Sequence, residues 1–255
     1  MKRQKIPVSL EILADMETPL SVYKKLANKP FSYLFESVEG GEKWARYSLI
    51  GLPCSKVIKV YNKQIQIFKY GKIEEEIIVS DPLEFLENYH EETKVKFDDE
   101  LPMFTGGLVG YLGYDCIGYI EPRLSNSSLP DPLGTPDALF LVSEEVAVFD
   151  NLNNKLHLIV LSESESEADV SKAEERLKTL SKKLTSPLNY KTQEEIRDAV
   201  TEKDFVSGFG EKQFKQSIKK IKEYIKAGDV MQVVLSQRMS VPFTSGPVEL
   251  YRSIR

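Results

Sequence analysis

Cysteine and histidine are scarce in this 255-residue sequence, with two of each, and there is a single tryptophan. Cys54 and Cys116 lie in apolar surroundings without a Cys or His partner at metal-ligand spacing. This excludes a disulfide-dense secreted scaffold and a thiolate zinc site, and it predicts two buried free thiols in a reducing compartment. Basic charge is not in excess either. Lys+Arg number 34 against 39 Asp+Glu, a formal charge of -5, which argues against a broad footprint for nucleic acid or an anionic bilayer. No run approaches the ~20 apolar residues of a membrane-spanning helix. The basic start Met1–Lys5 lacks a signal-peptide core, because Glu11 interrupts Val8–Leu13 and Asp15 follows. A cytoplasmic protein with no nucleic-acid or membrane partner is expected. Self-contained catalytic signatures are missing too: there is no G-x-S-x-G, H-E-x-x-H, EF-hand loop or zinc spacing. His90 and His157 have no acid or nucleophile nearby in sequence, and both read as structural.

What is present suits a folded core, with 41% hydrophobic and 29% charged residues. Val57–Val60, Ile65–Phe68 and Ile73–Val79 are short apolar runs separated by Asn62-Lys63 and Tyr70-Gly71-Lys72, the pattern of an antiparallel meander. Asp81-Pro82 then predicts an N-cap and first helical turn, with a helix running to about His90. Five glycines at 106, 107, 110, 113 and 118 suggest a phosphate loop, but their spacing fits neither G-x-G-x-x-G nor a Walker pattern. Among bulky apolar residues they predict close backbone approach in a strand. Pro122, Pro130, Pro132 and Pro136 around Ser125–Ser128 predict an extended loop. Strands are expected over Ala138–Asp150 and Lys155–Leu161, joined by the turn Asn151–Asn154.

From Ser162 the composition shifts to Ser, Glu and Lys, and Val170, Ala173, Leu177, Leu180 and Leu184 form the narrow stripe of an amphipathic helix. A linker is predicted near 191–203. A second helix follows on Phe214, Ile218, Ile221 and Ile225, ended by Gly228. Asp229–Val241 reads as strongly β-prone, and Pro247 opens a last helix with Val248, Tyr251 and Ile254 on one face. That helix meets Arg255 without a cap, so a fragment of a longer protein is expected. The domains predicted are 1–190, a linker 191–203, and 204–255 as the start of a second, truncated domain.

Two segments carry more specific information. Leu34-Phe35-Glu36-Ser37 is followed by Trp44-Ala45-Arg46-Tyr47-Ser48-Leu49-Ile50-Gly51, placing an acid, a hydroxyl and an arginine near aromatics, a set able to hold a zwitterion. Ala227-Gly228-Asp229-Val230-Met231-Gln232-Val233-Val234-Leu235-Ser236-Gln237-Arg238 sets Gln232 in an otherwise apolar strand, where its amide needs a partner.

Together with the glycine-rich Gly106–Asp115, these segments resemble the anthranilate synthase component I family of chorismate-utilising enzymes across nearly the whole chain. Leu34–Ser37 is similar to that family's Leu-Leu-Glu-Ser signature, with Phe35 in place of a leucine. The resemblance implies an α+β fold of antiparallel sheets flanked by helices, a layered sandwich incomplete at its C-terminus. It also implies that the parent protein adds ammonia to chorismate with Mg²⁺ and eliminates pyruvate to give anthranilate, the ammonia coming from a glutamine amidotransferase subunit. Domain 1–190 is then regulatory, with Ser37 as first tryptophan contact and Leu34 and Glu36 beside it. Gln232 becomes a possible active-site contact. Where related water-adding enzymes carry a lysine, an amide cannot act as general base near neutral pH, which favours amine transfer. The Mg²⁺ ligands and the catalytic histidine are expected beyond Arg255, so the fragment is expected to be inactive alone. Aminodeoxychorismate synthase component I and a non-catalytic tryptophan-binding module are the alternatives.

Overall fold

The computed structural model describes residues 4–36, 46–124, 131, 133–188 and 200–255. They belong to two compact units, Met1–Tyr190 and Lys191–Arg255.

In chain order the first unit contains β1 (Ile6–Leu13), α1 (Pro19–Leu26), β2 (Tyr33–Phe35), β3 (Tyr47–Gly51), β4 (Lys56–Tyr61), β5 (Gln64–Lys69) and β6 (Lys72–Ile78). These are followed by α2 (Pro82–Glu92), β7 (Gly107–Leu112), α3 (Ile117–Ile120), β8 (Ala138–Ser143), β9 (Glu145–Asp150), β10 (Lys155–Ser162) and α4 (Glu167–Leu184). The strands form two five-stranded sheets, β1-β10-β9-β3-β2 and β6-β5-β4-β8-β7, and every pairing is antiparallel.

Alternation along the strands creates the layers. In β9, Ala147 and Phe149 join Leu156, Leu158 and Val160 of β10 beneath Val22 and Leu26 of α1 and Leu177 and Leu180 of α4. Val146, Val148 and Ile159 point the other way. In β4, Val57 meets Tyr33 and Leu141 between the sheets, whereas Ile58 and Val60 pack under Leu86 of α2. The order is therefore helices, sheet, sheet, helix. Each fully buried Leu or Ile contributes roughly 1.5–3 kcal/mol relative to an exposed one.

Local chemistry sets the ends. Asp81 caps α2, its carboxylate accepting from the amides of Leu83 at 2.9 Å and Glu84 at 3.3 Å. Thr18 and Ser21 form a reciprocal capping box on α1, with Pro19 in the first turn. The β5–β6 turn needs left-handed backbone at both central residues, Tyr70 (φ 50°) and Gly71 (φ 77°).

Ala138–Asp150, expected as one strand, is two strands in different sheets. Glu144 stands between them, and the chain crosses layers there. The crossing is tied on three sides: Ser143 to the Tyr33 hydroxyl at 2.9 Å, Glu144 to Lys5, and Glu145 to Arg176 of α4 by two bonds of 2.7 Å. The polar triplet Ser143-Glu144-Glu145 interrupts the apolar run at the break, and it is the mark that the single-strand expectation passed over. The expectation of close backbone approach in a strand holds for some of the five glycines and not for others: Gly118 lies in α3, and a Cβ on Gly107 would meet nothing within 4 Å. A Cβ on Gly110 would stand 1.8 Å from the Leu139 carbonyl oxygen, so β7 approaches β8 too closely for any side chain there.

The second unit contains β11 (Val206–Ser207), α5 (Glu211–Ala227), β12 (Met239–Ser240) and α6 (Pro247–Ile254). Gly228 ends α5 in the left-handed conformation, φ 80°. The β-prone run Asp229–Val241 corrects the sequence expectation. Only Met239–Ser240 joins a ladder, against Val206–Ser207, so residues after 229 do not extend the large sheets. A strand needs a partner for its backbone groups, and among the described residues no strand pairs with 230–236; Arg238 only accepts from the Gly208 amide at 3.0 Å.

Candidate functional site

Antiparallel pairing gathers three of the sequence elements at one end of the first sheet. Phe35, ending β2, lies opposite Leu49 of β3, and Tyr47, opening β3, lies opposite Asp150, which ends β9. Leu34 faces the helix layer, packed with the cluster that includes Val22 and Ile50. Tyr33 and Phe35 face the other way, their rings 5.2 Å apart. The Tyr33 ring lies over Gly51, where a Cβ would come within 1.8 Å of it, so the last residue of the Trp44–Gly51 element is glycine for lack of space. Glu36 follows directly and is half-buried. Ser37 and Trp44 lie outside the described residues.

Arg46, read in the sequence as part of a zwitterion-holding set, is paired with the end of β9. Its Nε and Nη2 reach Asp150 Oδ2 at 3.1 and 2.7 Å, with the guanidinium 4.8 Å from the centre of the Tyr47 ring. Asp150 is 2% exposed and also accepts from the backbone amides of Leu152 and Asn153 and from the Asn153 side chain. Burial pushes this carboxyl up, but Arg46 and the Asn153 and Leu152 donors outweigh it and bring it down to about 2. The pair is thus an anchor that fixes where β3 begins. Beside it the buried Ser48 hydroxyl accepts from Asn151 Nδ2 at 3.2 Å. Sequence reasoning missed Asp150 because 104 positions separate it from Arg46. The only available signal was the single acid placed before the Asn-rich turn.

The potential nucleophiles of the first unit are quiet. Burial pushes the Cys54 thiol up to about 12, despite its bond with Ser143, and pushes Cys116 up as well. Cys116 is buried as expected, whereas Cys54 is half-buried. Burial also raises the Tyr33 phenol. His157 Nε2 stands 3.9 Å from Glu11 Oε2 across the β1–β10 pair. Among the described residues no three His, Cys, Asp or Glu side chains converge as a cation site. They do not fit a resident Mg²⁺. In the second unit Gln232 is exposed and outside any strand, a correction to its expected place in a β-ladder with the same cause as the missing strand. No described helix is long and apolar enough to cross a membrane.

Residues 31–255 match the chorismate binding enzyme family, and the chain belongs to it. Within that family it is similar to anthranilate synthase component 1 of Pseudomonas aeruginosa, 47% identical over 252 residues that cover 98% of this chain and 51% of that protein. It is also similar to the proteins of the same name from Neisseria meningitidis serogroup B, 46% identical over 258 residues, and Acetivibrio thermocellus, 38% over 264, each with 98% of this chain and 51% of the relative covered. The crystal structure of anthranilate synthase component I from Streptococcus pneumoniae TIGR4 superposes with a TM-score of 0.65 at 28% identity, covering 96% of this chain and 51% of that one. The chain spans about half the length of the relatives it matches. Its α+β fold of antiparallel sheets with flanking helices agrees with that structure.

Proposed function

We propose that this chain is the N-terminal portion of an anthranilate synthase component I, a cytoplasmic lyase that converts chorismate and ammonia to anthranilate and pyruvate. The observation that carries this reading is similarity along 98% of the chain to proteins of that one name, at up to 47% identity. The family match to chorismate binding enzymes supports the substrate. Gln232 supports amine transfer over water addition, since an amide holds and orients a substrate but takes no proton near neutral pH.

In this reading domain 1–190 binds tryptophan as feedback inhibitor, 191–203 links, and 204–255 begins the chorismate-binding domain. Leu34 supplies an apolar wall, and Glu36 and Ser37 supply polar contacts to the effector. Arg46–Asp150 positions the strand beside them. Mg²⁺ would be held by residues in the part of the relatives that this chain does not match. It would act as a Lewis acid at the substrate. Ammonia would arrive from a glutamine amidotransferase subunit.

The test pairs two measurements. Calorimetry of the 255-residue chain with tryptophan should show binding that Ser37→Ala weakens about tenfold or more, the loss of a buried polar contact. Incubation with chorismate, Mg²⁺ and ammonia should give no anthranilate fluorescence from these residues alone, and fluorescence from a polypeptide of the relatives' full length. Binding untouched by Ser37→Ala overturns the effector site. Turnover by the 255 residues overturns the division of labour, and 4-amino-4-deoxychorismate as product overturns the activity.

A further inference from the structure

In an acidic chain, α5 is conspicuously basic, with six lysines and two glutamates among its 17 residues. Five of those lysines, Lys212, Lys215, Lys219, Lys222 and Lys226, recur at steps of three and four. At about 100° per residue they occupy an arc of about 80°, a straight row about 21 Å long. The apolar stripe Phe214, Ile218, Ile221 and Ile225 occupies a separate arc of about 60°, centred roughly 110° away. Of the five lysines only Lys215 has a carboxylate partner, Glu211, among the described residues. A shallow groove runs along the same face, lined by Glu211, Lys212, Lys215, Gln216 and Lys219.

We propose that this lysine row is a docking surface for an acidic protein face, carried by the second component that assembles with this one. The inference rests on the component reading given above. Three features select the occupant. An aligned row of ammonium groups, four of the five without a carboxylate partner among the described residues, is complementary to a row of carboxylates and supplies steering and register. A nucleic acid is disfavoured because the chain as a whole carries -5. A bilayer is disfavoured because the row flanks the apolar stripe on one side only, and Phe214 at the head of that stripe packs its ring edge-on against Phe209 at 5.6 Å.

The experiment measures binding of the 255-residue chain to the purified glutamine amidotransferase component at about 50 and about 300 mM salt. Wild type should bind and weaken with salt. Replacing Lys212, Lys219, Lys222 and Lys226 by Glu should weaken binding more than about tenfold and flatten the salt dependence, while replacement by Gln should fall between. The same charge change at Lys63, Lys72, Lys178 and Lys182, all exposed on the first unit, should leave binding unchanged. Undiminished binding by the row variant overturns the docking surface and leaves the component reading standing. Tighter binding of wild type to phosphatidylserine vesicles or to RNA than to the component overturns the choice of partner. No complex with wild type at low salt overturns both.

Discussion

The helices α4 and α5 carry the same sequence signal and meet different fates. Each has an apolar stripe at three- and four-residue spacing, and each is otherwise charged. In α4, Ala173, Leu177, Leu180 and Leu184 are buried against β1, β10 and α1. In α5 no described residue is buried, nor is any in the rest of the second unit. Amphipathic periodicity therefore reports which face seeks cover, and only a facing sheet converts that into a core.

The contrast can be broken by truncating matched positions. Leu177→Ala should cost about 2–5 kcal/mol, read as a lower urea midpoint, whereas Ile221→Ala should cost under ~1 kcal/mol. Equal losses would mean that α5 is as well covered as α4.

A buried charge sharpens it next. With the Asp150 carboxyl held at about 2, below its ordinary ~3.9, the stabilisation is fully present above pH ~4 and is lost as pH falls through about 2. It amounts to about 2–3 kcal/mol. Asp150→Asn should remove it and flatten the acid limb of the first unit's stability profile, an effect measurable by denaturation between about pH 2 and about pH 6. An unchanged limb would show that Arg46 and Asp150 do not anchor β3.

Glycine substitutions give a smaller contrast. Gly110→Ala forces β7 from β8 and should cost about 1–3 kcal/mol. Gly228→Ala meets open space and strains only a left-handed backbone, which should cost about 1 kcal/mol. Thermal shifts of the two variants check the order. Smallest is Asp81→Ala, about 1 kcal/mol through loss of the α2 cap.

Much of the first unit was legible because its signals are local. The meander, the Asp81 cap and the Leu177 stripe each depend on residues within a few positions of one another, as does the Gly228 stop in the second unit. The break at Glu144 was marked only by the polar triplet Ser143-Glu144-Glu145 between two apolar runs, and a short polar interruption does not by itself tell a change of sheet from one continuous strand. The run after Gly228 misled for the opposite reason: β-propensity describes fitness for a pleated surface, and no such surface adjoins it here. For the candidate site, the position of Leu34 opposite Ile50 of β3, with Glu36 just beyond the end of β2, follows from pairing that the motif only hinted at. Arg46 was visible as a functional residue, but its true partner was fixed by topology.

The chain passes between the two sheets at Leu52–Ser55 and again at Glu144, and the crossings are bonded to each other, the Leu52 amide donating to the Glu145 carbonyl at 3.0 Å. Two stitches drawn side by side through both layers mean that neither can slide over the other without stretching covalent chain. A displacement imposed at the rim of one layer is handed to its neighbour as rigid rotation about that seam.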